Sequence, residues 1–409
     1  MILELEEIAP PPAAPPASAP TPRGRVARKG APNDAALAGE QAFGFTGSGG
    51  EYFRIWVVNL LLTILTLGIY SAWAKVRRLQ YFYRNTTIAG ASFNYHGNAL
   101  AILKGRVLAV GLLAAWKFSW GRSVVASVLI ATVLGALMPW LLSRSFRFKL
   151  INSSYRGLRL RFGGSVGDAY KALSLFPILI GVTVFFAWSI LTSFSRNPGV
   201  GTAVLGVLLP LLVFASLVPV AHFFVKRYQH DNAYFGQTPF FFQGRTSDFF
   251  KIYGRAIGVF FLGSLSAGAF TFLTGRLFTW LSHGTFGWLF EIIYGMLSAS
   301  AFYLFLRPFI ESRIQNVVWN STILGGHRFR SSTRARALVW IHASNLMLIM
   351  CTCGLYKPFA TIRLVRYKVA CMSLVFDDTV EEFLVNQAGD NAGALGQEAG
   401  DFFDVDIAL

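Results

Sequence analysis

The hydrophobic residues of this chain gather into eight apolar runs that are separated by polar loops. The runs are approximately 55–73, 107–120, 123–142, 172–194, 200–225, 256–273, 286–306 and 337–356. A helix needs about 20 apolar residues to cross roughly 30 Å of hydrocarbon, and most of the runs are close to that length. Helices are expected because every backbone polar group in lipid must pair within the protein. The pattern therefore predicts an all-α polytopic membrane protein with about eight transmembrane helices, and six as the lower bound.

Basic residues are concentrated in four of the connecting loops. Of the 37 Lys and Arg residues, 33 lie in the stretch 53–376, which holds only five Asp and Glu. The long loops 74–106, 143–171, 226–255 and 307–336 carry most of them, and the loops between these are short. Because Lys and Arg stay on the cytoplasmic side of membrane proteins, we expect these four loops in the cytoplasm. There they would lie beside anionic lipid headgroups.

The composition excludes several classes of protein. Only 14% of the residues are charged and 54% are hydrophobic, whereas soluble domains have about 25% charged residues, so a water-soluble enzyme is excluded. The formal net charge is +17. Because the basic residues lie between apolar runs, we expect the lipid bilayer as the partner and no nucleic acid. The three cysteines are too few and too clustered for a disulfide scaffold.

Composition also changes at both ends of the chain. Residues 1–42 hold eight of the 16 prolines and cannot bury a core. Residues 377–409 are acidic and contain many Gly and Ala residues. We therefore predict two flexible tails around a membrane domain that covers 43–376.

Each basic loop contains a version of one short motif. The motif opens with a polar cluster at 85–87, 152–154, 231–232 or 320–322, and a glycine and alternating aromatic and polar residues follow. The cluster is expected to end the preceding helix and the glycine to allow a tight turn. The alternation predicts a short extended strand. Two interpretations stay open: the motifs are simple helix connectors, or they pair with one another into a small cytoplasmic sheet.

A second internal repeat relates the first apolar run to the eighth. The pattern that begins at Asn59 recurs 286 positions later at Asn345, without a gap over 23 positions. Both runs are followed by basic residues, although eight crossings would put the two flanks on opposite sides of the membrane. Either both runs cross fully, or each is a re-entrant or interfacial element that turns at 66–68 and 352–354. The second interpretation leaves six crossings with both termini in the cytoplasm.

Few polar residues in the apolar runs are candidates for a functional site. Glu291 is the only carboxylate within a run and is a candidate proton or cation site, because ionisable residues in a membrane are costly. The alternative is a position near a helix end or a partner such as Arg276. His342 is either a ligand or a packed, hydrogen-bonded histidine. Asn59 and Asn345 are further candidates at equivalent repeat positions.

Motifs of catalytic and cofactor sites are missing from the sequence. There is no His-x-x-x-His or Cys-x-x-Cys spacing of a metal site. There is also no phosphate-binding loop, nucleophile elbow or dinucleotide fingerprint. We therefore predict no catalytic residue, no metal and no cofactor, and we expect that the protein is not an enzyme.

Two blocks near the start of the membrane domain carry a family resemblance. They are FTGSGGEYF at 45–53 and LTLGIYSAWAK at 65–75. Together they resemble the YjgN family of bacterial inner-membrane proteins, and the similarity runs over roughly 43–376. The resemblance implies a multi-pass protein of the inner membrane and brings no established activity with it.

Two hypotheses for the function follow. In the first, the protein moves or binds a small solute or a lipid. In the second, it is a structural or regulatory membrane protein whose basic cytoplasmic loops bind anionic lipid or a partner protein. Polar residues that converge on a cavity within the membrane would favour the first, and a solid bundle with a cytoplasmic collar would favour the second.

Overall fold

The structure is a computed structural model, and it describes residues 39–119, 122–173, 181, 200–281 and 287–376. These residues are mostly helical, but they also contain eleven short strands. The expectation of an all-α protein was therefore wrong. Eight of the strands lie in the loop motifs, whose aromatic and polar residues alternate with the period of a strand.

Ten helices lie in the described residues. They are α1 (Gly49–Leu65), α2 (Ser71–Arg84), α3 (Ala99–Ser119), α4 (Val124–Ile151), α5 (Val166–Leu173), α6 (Val200–Asp231), α7 (Thr246–Leu281), α8 (Gly287–Asn320), α9 (Ala335–Cys351) and α10 (Lys357–Ala370). The predicted run 172–194 lies almost entirely outside the described residues. The run 107–120, which is short for a crossing, belongs to the 21-residue helix α3.

The eleven strands form one antiparallel sheet. They are β1 (Gly39–Ala42), β2 (Gly44–Phe45), β3 (Thr86–Ile88), β4 (Ala91–Tyr95), β5 (Ser153–Tyr155), β6 (Leu158–Phe162), β7 (Ala233–Phe235), β8 (Thr238–Phe242), β9 (Thr322–Leu324), β10 (His327–Ser331) and β11 (Met372–Phe376). In the sheet, β1 lies next to β11, and the remaining strands follow in descending order from β10 to β2. Only Phe43 separates β1 from β2 in the chain, so the sheet returns to its own beginning. We call this closed sheet the strand ring.

The N-terminal strand lies in a region that the composition placed in the tail. Residues 39–42 form β1, which pairs with β11 from Gly39 opposite Phe376 to Ala42 opposite Ser373. This pairing joins opposite ends of the chain, so no local pattern near residue 40 could indicate it. Residues 39–42, which the composition assigned to the tail, therefore belong to the sheet.

Asparagine side chains end the helices that lead into the ring. The Nδ2 of Asn85 donates to the Tyr81 carbonyl at 2.8 Å, and the Nδ2 of Asn152 donates to the Phe148 carbonyl at 2.7 Å. Asn232 makes the same bond, with an Nδ2 to carbonyl distance of 2.9 Å. Each side chain gives a donor to a carbonyl of the last helical turn, and at Tyr81 and Phe148 this bond adds to one from the backbone amide of the same asparagine. The prediction that the polar clusters end helices is confirmed at these three positions.

Apolar side chains fill the inside of the strand ring. The third residue of each strand that enters the ring is buried there, and these residues are Ile88, Tyr155, Phe235, Leu324 and Leu374. Side chains from the strands that leave the ring pack against them, including Phe93 and Phe240. The Tyr155 hydroxyl donates to the Ile88 carbonyl at 2.7 Å, so its polar end is also satisfied. The ring is therefore a packed core and not an open pore.

The helices surround the ring axis in chain order. Each of the ten helices packs against its neighbours in the sequence, and α10 packs against α1. Within the described ranges, three stretches are long and apolar enough to cross a membrane: Ala99–Ser119, Val125–Ile151 and Thr246–Arg276. Only 11%, 6% and 6% of their apolar windows are buried within the protein. This low burial is expected for helices whose surfaces contact lipid.

The first and eighth apolar runs each contain a helix that ends in a turn, and a second helix follows the turn. Leu67 and Gly68 have φ values of 49° and 93°, and Cys353 and Gly354 have 49° and 91°. In the first turn, the Tyr70 amide donates to the Thr66 hydroxyl at 2.9 Å, and the second turn has the matching bond at 3.0 Å. The turns at 66–68 and 352–354 are therefore present in the structure.

Each of these two helix pairs returns to the ring. The Ser48 amide before α1 donates to the Tyr81 hydroxyl near the end of α2 at 2.9 Å. The Arg334 amide before α9 donates to the Tyr367 hydroxyl of α10, also at 2.9 Å. We call α1–α2 and α9–α10 the terminal hairpins. Helix α1 has 17 residues and is about 25 Å long, less than the roughly 30 Å of a hydrocarbon core.

Candidate functional site

The four candidate residues of the sequence lie on three helices. His342 and Asn345 are one turn apart on α9, and Asn59 is on α1. Glu291 lies on α8, but its side chain is outside the described part of the structure. The proton or cation role of Glu291 therefore stays a prediction. The structure adds a carboxylate close to His342 that the sequence did not single out.

That carboxylate is Glu311, which joins three helices. Glu311 of α8 accepts a hydrogen bond at Oε1 from the Nζ of Lys368 on α10. The second oxygen, Oε2, lies 3.7 Å from the Nε2 of His342 on α9. The three side chains are only 21–30% exposed. Glu311 falls in a basic loop of the sequence, and its only signal there is that it is one of five acids between residues 53 and 376.

Two atoms of this cluster lack a hydrogen-bond partner. Glu311 Oε2 and His342 Nε2 are both buried and have no such partner among the described residues. An unsatisfied buried polar atom costs about 1–3 kcal/mol. Desolvation lowers the pKa of His342 and outweighs the opposite effect of the Glu311 charge, so the imidazole is neutral at physiological pH. Lys368 balances the carboxylate charge of Glu311.

Asn345 links the two helices of the second terminal hairpin. Its Nδ2 donates to the Ala360 carbonyl of α10 at 3.2 Å. Its Oδ1 accepts from the Nη1 of Arg363 at 3.4 Å, and the same Nη1 donates to the Ser344 hydroxyl at 2.8 Å. Side-chain hydrogen bonds of this kind hold membrane helices together. These contacts give Asn345 a structural role.

Asn59 occupies the equivalent place in the first terminal hairpin. It is only 8% exposed, and its Oδ1 has no hydrogen-bond partner among the described residues. Its backbone carbonyl accepts from the Thr63 hydroxyl at 2.6 Å. The two asparagines thus share a position in the sequence but differ in their contacts.

A groove runs along α10 between α9 and the start of α1. Its volume is about 370 Å³, and its lining residues are Gly49, Ile341, Tyr356, Phe359, Ile362, Arg363, Arg366, Tyr367 and Ala370. Tyr356, Phe359 and Ile362 lie toward the turn of the hairpin, and Tyr367 and Ala370 lie toward the ring. Arg366 lies toward the ring, where its Nη2 donates to the Gly47 carbonyl at 2.9 Å. The groove therefore has an apolar end and a cationic end.

His230 lies where α6 enters the strand ring. Its Nδ1 is 3.2 Å from the hydroxyl oxygen of Thr322, and that hydroxyl donates to the Val318 carbonyl at 2.7 Å. Because the hydroxyl proton points to the Val318 carbonyl, the Thr322 oxygen accepts a hydrogen bond from the Nδ1–H of His230. Desolvation lowers the pKa of His230 to about 3, and the positive charge of Lys226 adds to this effect. His230 is therefore neutral at physiological pH.

No group of three or more His, Cys, Asp or Glu residues that could hold a metal ion occurs in the described ranges. The absence of a metal or cofactor stays an expectation of the sequence. The polar groups around the hairpins are the Glu311–Lys368 ion pair with the adjacent His342, and the arginines that line the groove.

Comparisons with known proteins agree with the resemblance seen in the sequence. A family model described as "Bacterial protein of unknown function (DUF898)" matches residues 40–402. The inner membrane protein YjgN of Salmonella typhimurium (strain LT2) is 26% identical over 340 residues, which cover 79% of this chain and 85% of the relative. The inner membrane protein YjgN of Escherichia coli (strain K12) is 32% identical over 155 residues, 36% of this chain and 37% of the relative. No solved structure matches the chain significantly.

The family match covers most of the chain, and the relatives named YjgN confirm the predicted resemblance and the inner-membrane location. The apolar helices described above fit that location. The chain therefore belongs to the DUF898 family of bacterial proteins of unknown function and is a protein of the inner membrane.

Proposed function

We propose that this protein is a structural membrane protein whose strand ring lies at the cytoplasmic leaflet and binds anionic lipid headgroups. The observation that carries the proposal is the outer surface of the ring. Arg159 and Arg161 occupy the second and fourth positions of β6, and Arg328 and Arg330 occupy the same positions of β10. All four are exposed. Lys and Arg near an anionic leaflet each contribute about 1 kcal/mol of attraction.

Alternation along the strands gives the ring two different surfaces. Successive side chains point to opposite faces of a strand, so the apolar residues face inward and the arginines face outward. Glu40 pairs with Arg330, with 3.0 Å between Oε2 and Nη1. Arg159, Arg161 and Arg328 form no ion pair in the described residues. Three cations are thus left without a carboxylate partner, which favours an anionic surface as the partner.

The packed inside of the ring supports a structural role over the movement of a polar solute along the ring axis. A polar solute would have to displace Tyr155, Phe235, Leu324 and their neighbours, which form one apolar cluster. Removing buried side chains of this size from their contacts costs several kcal/mol each. The proposal therefore keeps the binding of lipid from the first hypothesis and leaves out transport. It also assigns no catalytic step.

The same proposal includes a membrane topology with six crossings. Helices α3, α4, α6, α7 and α8 have 21 to 36 residues and are long enough to cross. The predicted run 172–194 would supply the sixth crossing. The terminal hairpins return to the ring and do not cross. Both termini and the ring are then cytoplasmic, which agrees with the basic flanks of the first and eighth runs.

The proposal can be tested by the lipids that remain with the purified protein. Protein extracted from vesicles with equal amounts of phosphatidylglycerol and phosphatidylcholine should retain mainly phosphatidylglycerol. The triple variant R159Q/R161Q/R328Q should lose most of this preference, and 0.5 M salt should weaken it in the unaltered protein because exposed charges are screened. The two retained lipids are quantified by mass spectrometry.

A control variant tests whether the lipid preference depends on the ring arginines or on positive charge anywhere in the protein. K117Q/R122Q removes two exposed cations at the ends of α3 and α4 that lie away from the ring. It should keep the preference for phosphatidylglycerol. An equal loss in the control and in the ring variant would contradict the proposal, and so would an unchanged preference in the ring variant.

A further inference from the structure

We propose that the groove beside α10 is a binding site for a single anionic phospholipid. The groove lies between α10, α9 and the start of α1. The inference deepens the proposed function because it places one tightly held lipid at a defined site. It rests on residues of the second terminal hairpin and on no arginine of the strand ring.

The two ends of the groove match the two ends of a phospholipid. Tyr356 and Phe359 lie at the end near the turn, and Arg363 and Arg366 lie toward the ring. Helix α10 has 14 residues and is about 21 Å long. This length accommodates a headgroup at the cationic end and an acyl chain along the apolar end. Phe359 is 36% exposed, so the apolar wall is open to the surrounding lipid.

The charge of the groove specifies an anionic ligand. Arg363 and Arg366 are three positions apart, so their side chains share one face of α10. Neither guanidinium forms an ion pair with a carboxylate in the described residues. Their hydrogen bonds go to neutral oxygen atoms of Ser344, Asn345 and Gly47. Arginine carries five N–H donors in a planar fork that fits the oxygens of a phosphate, and these contacts leave donors for a ligand.

The nearest acid of α1 is held away from the groove. The carboxylate of Glu51 accepts a hydrogen bond from the Tyr81 hydroxyl of α2 at 3.2 Å. Glu51 is not among the groove residues. The start of α1 therefore presents Gly49, whose lack of a Cβ lets the Phe359 ring pack closely against it, rather than a negative charge. The local charge balance at the cationic end stays positive.

The equivalent surface of the first terminal hairpin differs in charge. The positions that match Arg363 and Arg366 at the repeat distance of 286 are Arg77 and Gln80. Only one of the two cations is kept, and Arg77 does not line the groove. Arg77 is exposed and serves as a matched control for the loss of one arginine from a terminal hairpin.

The test measures how many phospholipids stay bound to the purified full chain. Phosphatidylglycerol and phosphatidylcholine are each titrated into the delipidated protein in mixed micelles, and bound lipid is counted by native mass spectrometry. We expect one phosphatidylglycerol per chain at low lipid concentration and at least tenfold weaker binding of phosphatidylcholine. R363Q/R366Q should bind phosphatidylglycerol at least tenfold more weakly, whereas R77Q should stay within twofold of the unaltered protein.

A second variant blocks the space and keeps both arginines. Ala370 is exposed at the cationic end of the groove, so A370W adds a large side chain there without removing a buried contact. It should also weaken the binding at least tenfold. If R363Q/R366Q loses its native helix content in circular dichroism, A370W decides the outcome. Unchanged lipid binding in A370W would overturn the assignment to this groove.

Further outcomes distinguish the ligand and separate this site from the ring. Release of the bound phosphatidylglycerol by inorganic phosphate, but not by chloride at the same ionic strength, would show that the site takes free phosphate and would overturn the lipid assignment. Equal binding of phosphatidylcholine would overturn the anionic class. R159Q/R161Q/R328Q should keep the single tight lipid, so failure of the ring proposal and failure of the groove proposal give different results.

Discussion

The folded protein disfavours the protonated form of His230. Its pKa is about 3 in the folded protein and about 6.5 in an unfolded chain. Between these values the unfolded chain binds a proton at this position and the folded protein does not. Stability should therefore fall as the pH is lowered from 6.5 toward 3, by at most about 1.4 kcal/mol per pH unit from this residue.

The variant H230F tests this contribution. Phenylalanine can occupy the space between Phe242 and Trp319, whose rings lie 5.8 and 5.5 Å from the imidazole. The variant loses the hydrogen bond to Thr322, which is worth about 1 kcal/mol at neutral pH. The melting temperature of H230F should fall less steeply than that of the unaltered protein between pH 6.5 and 4.5. Parallel melting curves for the two proteins would show that His230 does not carry the acid sensitivity.

At the scale of the elements, the turn of each terminal hairpin depends on a glycine. Gly354 has φ of +91°, and no atom lies within 4 Å of the position that a Cβ would take. The cost of G354A is therefore conformational and not steric contact with neighbours. An L residue with this backbone costs about 1–2 kcal/mol, so G354A should lower the free energy of unfolding by that amount.

A glycine in helix α3 provides a control, because its replacement by alanine should raise the free energy of unfolding instead of lowering it. Gly111 lies within α3, and it also has no atom within 4 Å of its Cβ position. Alanine within a helix is more stable than glycine by about 0.5–1 kcal/mol, so G111A should stabilise the protein. Unfolding by sodium dodecyl sulfate in mixed micelles measures both variants. Equal effects of G354A and G111A would exclude the left-handed turn as the cause.

Local patterns predicted the elements of the ring better than their arrangement. The alternation around Phe93 and Leu160 has the strand period, and the repeat together with the charge of the flanks left a turn near Gly68 as one of two interpretations. The pairing of Gly39 with Phe376 joins residues from opposite ends of the chain, and no local rule contains it. Glu311 became a candidate only because α8, α9 and α10 bring it to His342 and Lys368.

At the scale of the whole molecule, six crossings require both termini on the same side as the ring. A fluorescent protein fused after Leu409 should be bright in the cytoplasm, and a phosphatase fused at the same place should be inactive, because that enzyme works only in the periplasm. The same fusions after Arg122, between α3 and α4, should give the opposite results. An active phosphatase after Leu409 would support eight crossings and contradict the proposed topology.

The position of β1 also has a consequence for biosynthesis. β1 is synthesised first, but one of its edges pairs only with β11, the last strand to be made. Until residue 376 has left the ribosome, β1 and β10 both present free strand edges, which can pair with other chains. A chain that stops before β11 keeps these edges exposed, however completely its membrane helices have inserted. The closing strand thus couples closure of the sheet to synthesis of residues 372–376.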